Sequence, residues 1–350
     1  IPSQTRKSTR LAFENFNDPF ITHGIDVIPD SSSSSSPAVF IVAVNHIPGS
    51  PSSTEKCPLA SRIDVFSHTL GTSTARFLHT ITHPLIRTPN DVYAVSENEV
   101  YVTNDRWYAE GLMRTVETMW PGARWSDVVH ATRVPAAAAG KNDRQGEEQF
   151  VVEASIAVDK LQNPNGIGHG RTADEIMVAS AVGGRVWLGS FSASSSTTSS
   201  SSSSASSNQK HTPTTIQING TIEVPSTIDN PSWYQDPYPS SSSSSDDASG
   251  FILAGLKRAV NLGSTAADPH GREGVMVWYV KPGPHPHTPA SQWESRLLWE
   301  DDGGLIRNAA TAVLVGIDPA KETAAGGGKR AWLFVTGFSS ENAVAVKVDL

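Results

Sequence analysis

Five short pieces of this chain carry side chains able to do chemistry at the edge of a strand. The richest is Pro89-Asn90-Asp91-Val92-Tyr93-Ala94-Val95, where an amide oxygen and a carboxylate lead directly into a β-patterned run. Such oxygens are the hard donors that calcium takes. An Asn-Asp pair ahead of a strand is more commonly an ordinary turn. The pair gains meaning from its company: His23-Gly24-Ile25, Val44-Asn45-His46, Asn165-Gly166-Ile167 and Ile228-Asp229-Asn230 each offer an oxygen or imidazole ligand in a similar setting. His23 and His46 flank an apolar strand and its preceding loop. Two imidazoles beside a polarised carbonyl would act as general base and proton shuttle. Two structural histidines fit the spacing equally well.

Other candidates carry less. His285-Pro-His287 has the alternate spacing of a metal pair, but it lies in a proline-rich stretch with no third ligand nearby, so a surface loop is the better reading. His83 and His169 stand near the Asn motifs as outer candidates. The chain has no Gly-x-Ser-x-Gly elbow, no glycine-rich phosphate loop before a helix, and no Cys/His zinc spacing. Serine-based hydrolysis is therefore unsupported. Asp301-Asp302-Gly303-Gly304 reads as a turn.

The elements that must position these residues are mostly strands. Val39 to Val44 is continuously apolar, as expected of a strand covered on both faces. Short β-patterned runs follow along the whole chain, among them Val92–Ala94, Val100–Thr103, Val128–Val134, Ile176–Ala181, Ile216–Val224 and Ala331–Gly337, punctuated by Gly, Pro, Asn and Asp. One segment differs: Trp107 to Met119 has helical spacing and predicts a single short helix ending before Pro121. Strand pairs recurring at intervals of several tens of residues fit a propeller better than a sandwich. The ordered length suits five to six blades at roughly 50 residues each.

Serine-rich insertions at 31–36, 192–210 and 240–247 cannot bury apolar surface and are expected to be solvated and disordered. They read as loops inserted into one domain, residues 1–350. At 38% hydrophobic, the 350 residues suffice for a large core. A net charge of −8, without a dense Lys/Arg field, argues against nucleic acid. Cys57 is the sole cysteine, so no disulfide can form within the chain. No run spans a bilayer and no signal-peptide core is visible. Asn219-Gly220-Thr221 fits the glycosylation pattern, slightly favouring secretion. The start at Ile1 reads as a processed, trimmed or fragment terminus.

From about Phe20 onward the motifs resemble, in order, the serum paraoxonase/arylesterase family. The strongest block is Ile81-Thr82-His83-Pro84-Leu85-Ile86-Arg87-Thr88-Pro89-Asn90-Asp91-Val92-Tyr93-Ala94-Val95, followed by Val102-Thr103-Asn104-Asp105 and the helix with its Trp125–Val129 exit. The resemblance implies an all-β, six-bladed β-propeller with one short helix. It also implies two calcium ions in the central tunnel, one catalytic and one structural, and hydrolysis of lactones and aryl esters. By resemblance, His23 is the catalytic base and His46 its partner. Asn90, Asn165, Asp229 and Asn230 are catalytic-calcium ligands. Asp91 and the Ile25 backbone carbonyl hold the structural ion, and Asp105 stands behind them.

The departures are specific. The family's adjacent Glu-Asp pair, well before the His-Gly-Ile motif, has no counterpart here, so each calcium site is expected to lack one carboxylate. The closing disulfide is absent too, and the N-terminal blade is expected to be incomplete. A shortened, calcium-dependent hydrolase acting on a small ester or lactone is the first expectation. A propeller that no longer catalyses and serves as a binding or structural module is the alternative; a gluconolactonase-like or strictosidine-synthase-like propeller is weaker. Family resemblance favours the secretory pathway, while oligomeric state is left open.

Overall fold

The computed structural model describes residues 8–32, 36–47, 60–120, 122–136, 149–193, 214–239, 246–283, 288–324 and 327–350. Their strands fall into five sheets. The first contains β1 (Ala12–Glu14), β2 (Thr22–Pro29), β3 (Ala38–Ile47), β4 (Ala60–Thr69) and β5 (Thr74–Ile81), in the order β1-β5-β4-β3-β2. The second is a meander of β6 (Pro89–Ser96), β7 (Glu99–Asn104), β8 (Ser126–Pro135) and β9 (Phe150–Leu161). The third is β10 (Pro164–His169), β11 (Glu175–Ser180), β12 (Arg185–Ala193) and β13 (Thr214–Glu223). The fourth is β14 (Pro231–Tyr234), β15 (Gly250–Leu256), β16 (Val275–Lys281) and β17 (Glu294–Asp301). The fifth has three strands, β18 (Ala309–Gly316), β19 (Arg330–Gly337) and β20 (Val344–Asp349).

The first strand of each meander is innermost: β2 packs on β6, β6 on β10, β10 on β14 and β14 on β18. This is a propeller arrangement. Apolar layers fill the spaces between successive sheets. Val42, Val44, Ile63 and Val65 meet Val92, Val100 and Val129. Tyr93 and Tyr101 meet Ile167 and Ile176. Met177 and Leu188 meet Phe251 and Leu253, and Ile252 and Val277 meet Leu333 and Val335. Strands such as β15 are thus buried on both faces, which is why they read as unbroken apolar runs. Truncating one such side chain to alanine costs about 2–5 kcal/mol, from lost burial plus the cavity left behind.

Five sheets are described where six blades are expected. Five lies within the range that roughly 50 residues per blade suggests once the serine-rich insertions are discounted; the first sheet's meander runs from Thr22 to Ile81, and the third from Pro164 to Glu223 around the longest insertion. Nor does any described sheet join N- and C-terminal strands. β1 instead pairs in parallel with the outer strand β5. Aromatic packing draws it there: Phe13 stacks on Phe66 at 4.9 Å, and Phe16 and Phe20 close around the same ring at 5.2 and 5.7 Å.

Two further expectations are adjusted. The helix α1 is Leu112–Met119, not Trp107 onward. Gly111 has φ 87°, outside helical backbone, and the buried Glu117 carboxylate accepts the Trp107 and Tyr108 amides, folding that segment back over the helix. A second helical turn, α2 (Leu262–Thr265), and 3-10 turns at Ala259–Asn261 and Ala290–Gln292 accompany it. Most of the serine-rich residues lie outside the described ones, but Ser192 is strand, facing Thr215 with a hydroxyl contact of 2.9 Å. The longest tract therefore interrupts the β12–β13 hairpin, whose last described pair is Ala193 and Thr214. No described helix is long and apolar enough to cross a membrane.

Candidate functional site

Three inner strands break their ladders at corresponding places. On β2, Thr22 pairs with Asn45 and Ile25 with Ala43, leaving His23-Gly24 opposite one residue. On β6, Pro89 pairs with Asn104 and Val92 with Val102, leaving Asn90-Asp91 opposite Thr103. On β10, Pro164 pairs with Ser180 and Ile167 with Val178, leaving Asn165-Gly166 opposite Ala179. Each is a β-bulge, which bends its strand and re-aims side chains. Two glycines make the convergence possible. A Cβ on Gly24 would overlap the Asp91 carboxylate and lie 2.7 Å from the Asn90 carbonyl oxygen. A Cβ on Gly166 would overlap the Asp229 carbonyl and lie 2.5 Å from the Asn230 Cα.

Polar pins aim the incoming chain. Asn45, fully buried, accepts the Ile21 amide at 2.8 Å and donates to the Pro19 carbonyl at 2.9 Å and to Asp64 at 2.8 Å. Asn104 repeats the device one sheet on: it accepts the Arg87 and Thr88 amides and donates to the Leu85 carbonyl and to Asp127. Both asparagines are used up inside the fold, so Asn45 offers no ligand to the tunnel.

His23 Nδ1 lies 3.1 Å from His46 Nε2, and His46 Nδ1 lies 2.8 Å from Ser61 Oγ. The Asn90 Nδ2 amide faces His23 Nε2 at 3.4 Å. An amide N–H can only donate, which assigns Nε2 of His23 as acceptor and places its proton on Nδ1, towards His46. Although one side of the His23 ring is open, loss of hydration pushes its pKa below 6.5, outweighing the nearby Asp105 charge. His46 is lowered by burial and then by His23, again against Asp105. Both rings are therefore neutral at pH 7.

Oxygen donors gather beside this pair. Asp91 is buried; Oδ1 accepts the Val92 amide at 2.9 Å and Oδ2 the Ile167 amide at 2.9 Å, tying β6 to β10. Thr103, opposite the Asn90-Asp91 bulge, accepts the Asp91 amide at 3.0 Å and donates to the Asn165 carbonyl at 2.6 Å. Burial pushes Asp91 up to about 8, with the Asp229 and Asp26 charges adding to it, and pushes Asp229 up to about 7. The Asn165 side-chain oxygen is buried without a hydrogen-bond partner. Asn230 Nδ2 donates to Thr311 Oγ1 at 3.0 Å, joining β18 to the group.

An orphaned amide oxygen and two desolvated carboxylates at raised pKa are what an oxygen-liganded cation would satisfy. Asn90, Asn165, Asp229 and Asn230 fit that chemistry as donors. The second set, Asp91 with the Ile25 carbonyl, is thinner, and the Ile25 side chain is exposed. Among the described residues no cluster of three or more His, Cys, Asp or Glu could hold a metal ion; a site here would depend on amide and backbone oxygens.

A cavity of about 750 Å³ runs along the inner strands, touching all five sheets. His23, Ile25, Asp91 and Asn230 line it, whereas His46, Asn90, Asn165 and Asp229 are not among its lining residues. His83 instead accepts the Leu85 amide in a turn, and His285 and His287 lie outside the described residues. Thr103, Ser61 and Asp26 were missed from sequence. Asp26 holds the Ala94 amide at 2.8 Å and His169 Nε2 at 2.8 Å. An acidic residue just past His-Gly-Ile would have stood out had β2 been read as a strand rather than a loop.

An all-β propeller with amide, carboxylate and imidazole groups converging on its inner strands is the class that fold and site define. The Arylesterase family model matches residues 19–161, the stretch from the entry of β2 to the end of β9. Serum paraoxonase/arylesterase 1 of Mus musculus is 32% identical over 111 residues, 32% of this chain and 27% of the relative. Serum paraoxonase/arylesterase 2 of Rattus norvegicus is 26% identical over 149 residues, 41% of this chain and 38% of the relative. The resemblance to the paraoxonase/arylesterase family is thereby borne out. The match spans well under half the length of these curated relatives. The family-model match includes His23, His46, Asn90 and Asp91; Asn165, Asp229 and Asn230 lie beyond it.

Proposed function

We propose that the chain is a calcium-dependent hydrolase of lactones and aryl esters. The observation that carries this reading is the set of three aligned bulges. They carry His23, Asn90-Asp91 and Asn165 with its buried orphan amide oxygen, and beside them stand His46, 3.1 Å from His23, and Asp229, whose carbonyl lies against Gly166. A scaffold alone has no use for such a group, whose burial is costly unless a ligand compensates it.

Asn90, Asn165, Asp229 and Asn230 would hold the catalytic calcium, and Asp91 with the Ile25 carbonyl the structural one. Bound there, calcium supplies Lewis-acid polarisation of the ester carbonyl. The protein's own part is proton handling and positioning. His23 Nε2 takes the proton of the attacking water. His23 Nδ1–H then passes a proton to His46 Nε2, and His46 Nδ1–H faces Ser61 Oγ as the outward step. Asp91 and Thr103 lock β6 to β10, keeping Asn90 and Asn165 in register. The finer count of six blades belongs to the same reading: a sixth would stand between β18 and β2, where no apolar layer joins the fifth sheet to the first among the described residues.

A non-catalytic binding module is the second reading. It is favoured by the scarcity of charge, since Asp91 and Asp229 are the only carboxylates in the donor set.

The deciding experiment is hydrolysis of a δ-lactone and of phenyl acetate with calcium and with a chelator. Turnover that the chelator abolishes and calcium restores is expected. Turnover indifferent to calcium would overturn the metal assignment. No turnover under either condition would favour the binding module.

A further inference from the structure

Away from the inner-strand cavity, three aromatic side chains make a small notch of their own beside α1. Trp107 and Tyr108 enter it from the segment folded back over the helix, and Trp125 from the chain leading into β8; these three line a cavity of about 330 Å³. Tyr108 and Trp125 stand 82° apart with ring centroids 6.0 Å from each other, so they form a corner. Trp120 braces Trp125 at 5.6 Å, and the Ala123 amide bonds to the Trp120 carbonyl at 2.9 Å, which fixes the brace. Trp107 is 47% exposed and Tyr108 36%, so these rings are presented rather than packed away.

Two charges mark what the corner would accept. Arg87 already lies over the Trp107 ring, 4.2 Å from guanidinium carbon to ring centroid, so one face of that ring holds a cation. At the backbone of the same segment sits Glu117, which is buried. Its oxygens accept the Trp107 amide at 2.9 Å, the Tyr108 amide at 3.2 Å and the Ser126 hydroxyl at 2.9 Å. All three donors are neutral, and Glu117 has no ion-pair partner among the described residues. The carboxylate therefore ties down the two residues that build the notch and keeps a negative charge next to their rings. Arg87 and Arg106 answer other carboxylates, those of Asp127 and Asp105.

We propose that the Trp107–Tyr108–Trp125 notch is an aromatic cage for a quaternary ammonium group, the trimethylammonium end of a choline-like small molecule. Ring faces attract a cation held within about 6 Å of the centroid. The side chains that wall the notch offer a single acceptor, the Tyr108 hydroxyl. A primary ammonium would bring three N–H donors and lose their hydration without recompense. A trimethylammonium group has no N–H to satisfy and turns methyl groups towards the rings. A neutral tert-butyl group has the same shape and lacks the charge. None of Trp107, Tyr108, Trp125 and Glu117 belongs to the donor set or the proton path of the hydrolase reading, so the site stands without it.

The test is calorimetric titration of choline into the full chain with chelator present, set against 3,3-dimethyl-1-butanol, in which carbon replaces the charged nitrogen. Saturable one-to-one binding of choline is expected, with the neutral isostere at least about tenfold weaker. Tyr108→Leu, which keeps an apolar wall but removes a ring face, should weaken choline about tenfold and leave the unfolding midpoint in place. Equal binding of choline and its isostere by the unmodified chain would overturn the proposal without recourse to any variant, as would no saturable binding. An unchanged affinity in a folded Tyr108→Leu chain would do the same. Adsorption to phosphatidylcholine vesicles without binding of free choline would also overturn it, because the rings would then serve with the exposed Leu112 and Met119 as an apolar anchor. Because no turnover is measured and calcium is chelated, loss of lactone hydrolysis leaves this result untouched.

Discussion

The inner strands differ between their two ends. At the level of His23, Asn90 and Asn165 the ladders of β2, β6 and β10 are bulged, and glycines let the strands close in. At the level of Asp26 and His169 the ladders are regular, with Asp26 opposite Val42 and His169 opposite Ile176. One end is aimed by broken pairing; the other by ordinary alternation and a single ion-pair-like contact. The bulged end holds the buried, unpartnered Asn165 oxygen beside Asp91, while the regular end pairs Asp26 with the Ala94 amide and His169. The calcium site proposed above would thus fall where the backbone is irregular, and the Asp26–His169 hydrogen bond where it is not.

Substitution should separate the two ends. The largest effect is expected from His23→Gln, which removes the proton acceptor: lactone hydrolysis should fall about 10²–10⁴-fold while calcium binding by titration persists. Loss of calcium binding instead would make His23 structural. Asn165→Ala takes away the orphan oxygen and should lower calcium affinity, and turnover with it, by about 10–100-fold, the range seen when a metal site loses a supporting group. Full activity would remove Asn165 from the donor set. Gly166→Ala probes the close approach itself. Overlap with the Asp229 carbonyl should cost about 1–3 kcal/mol, read as a lower unfolding midpoint; a neutral result would mean that the strands can part.

Acidity separates the ends more gently. Asp91 and Asp229 are raised to about 8 and about 7 from 3.8, so the folded chain binds their protons more tightly than the unfolded chain. Their stabilising contribution is complete below pH 3.8 and is lost as pH rises through 7 and 8. His23 and His46, lowered from 6.5, act in the opposite sense, costing stability as pH falls below that value. Without cation, the melting temperature should drop on going from about pH 6 to about pH 9, and added calcium should raise it more at the higher pH. A calcium effect independent of pH would detach the metal from these carboxylates.

What could be read from the sequence follows the same division. The middle and outer strands, such as β3, β7 and β19, announce themselves by apolar β-branched runs, because sheets cover both of their faces. The inner strands β2, β10 and β14 were not recognised as strands. Pro164-Asn165-Gly166-Ile167-Gly168-His169 has the composition of a turn. Its glycines answer to close strand approach and its polar residues to the tunnel, so local propensity was overruled by tertiary demands. The site pairs were legible because a bulge leaves two adjacent unusual residues together. Asp26 and Thr103 were not, since each serves through a partner distant in sequence. The propeller class was legible from strand spacing; the blade count was not, because long insertions stretch the interval.

The β12–β13 hairpin has a consequence for how this chain can change. Its arms are paired out to Ala193 and Thr214, so the intervening residues begin and end at one place on the third sheet's rim. Lengthening a connection whose two ends are fixed costs only about 0.6 kcal/mol per doubling. The rim is accordingly a port: a whole foreign domain with neighbouring termini could be spliced there, and the blades on either side would register little more than added weight.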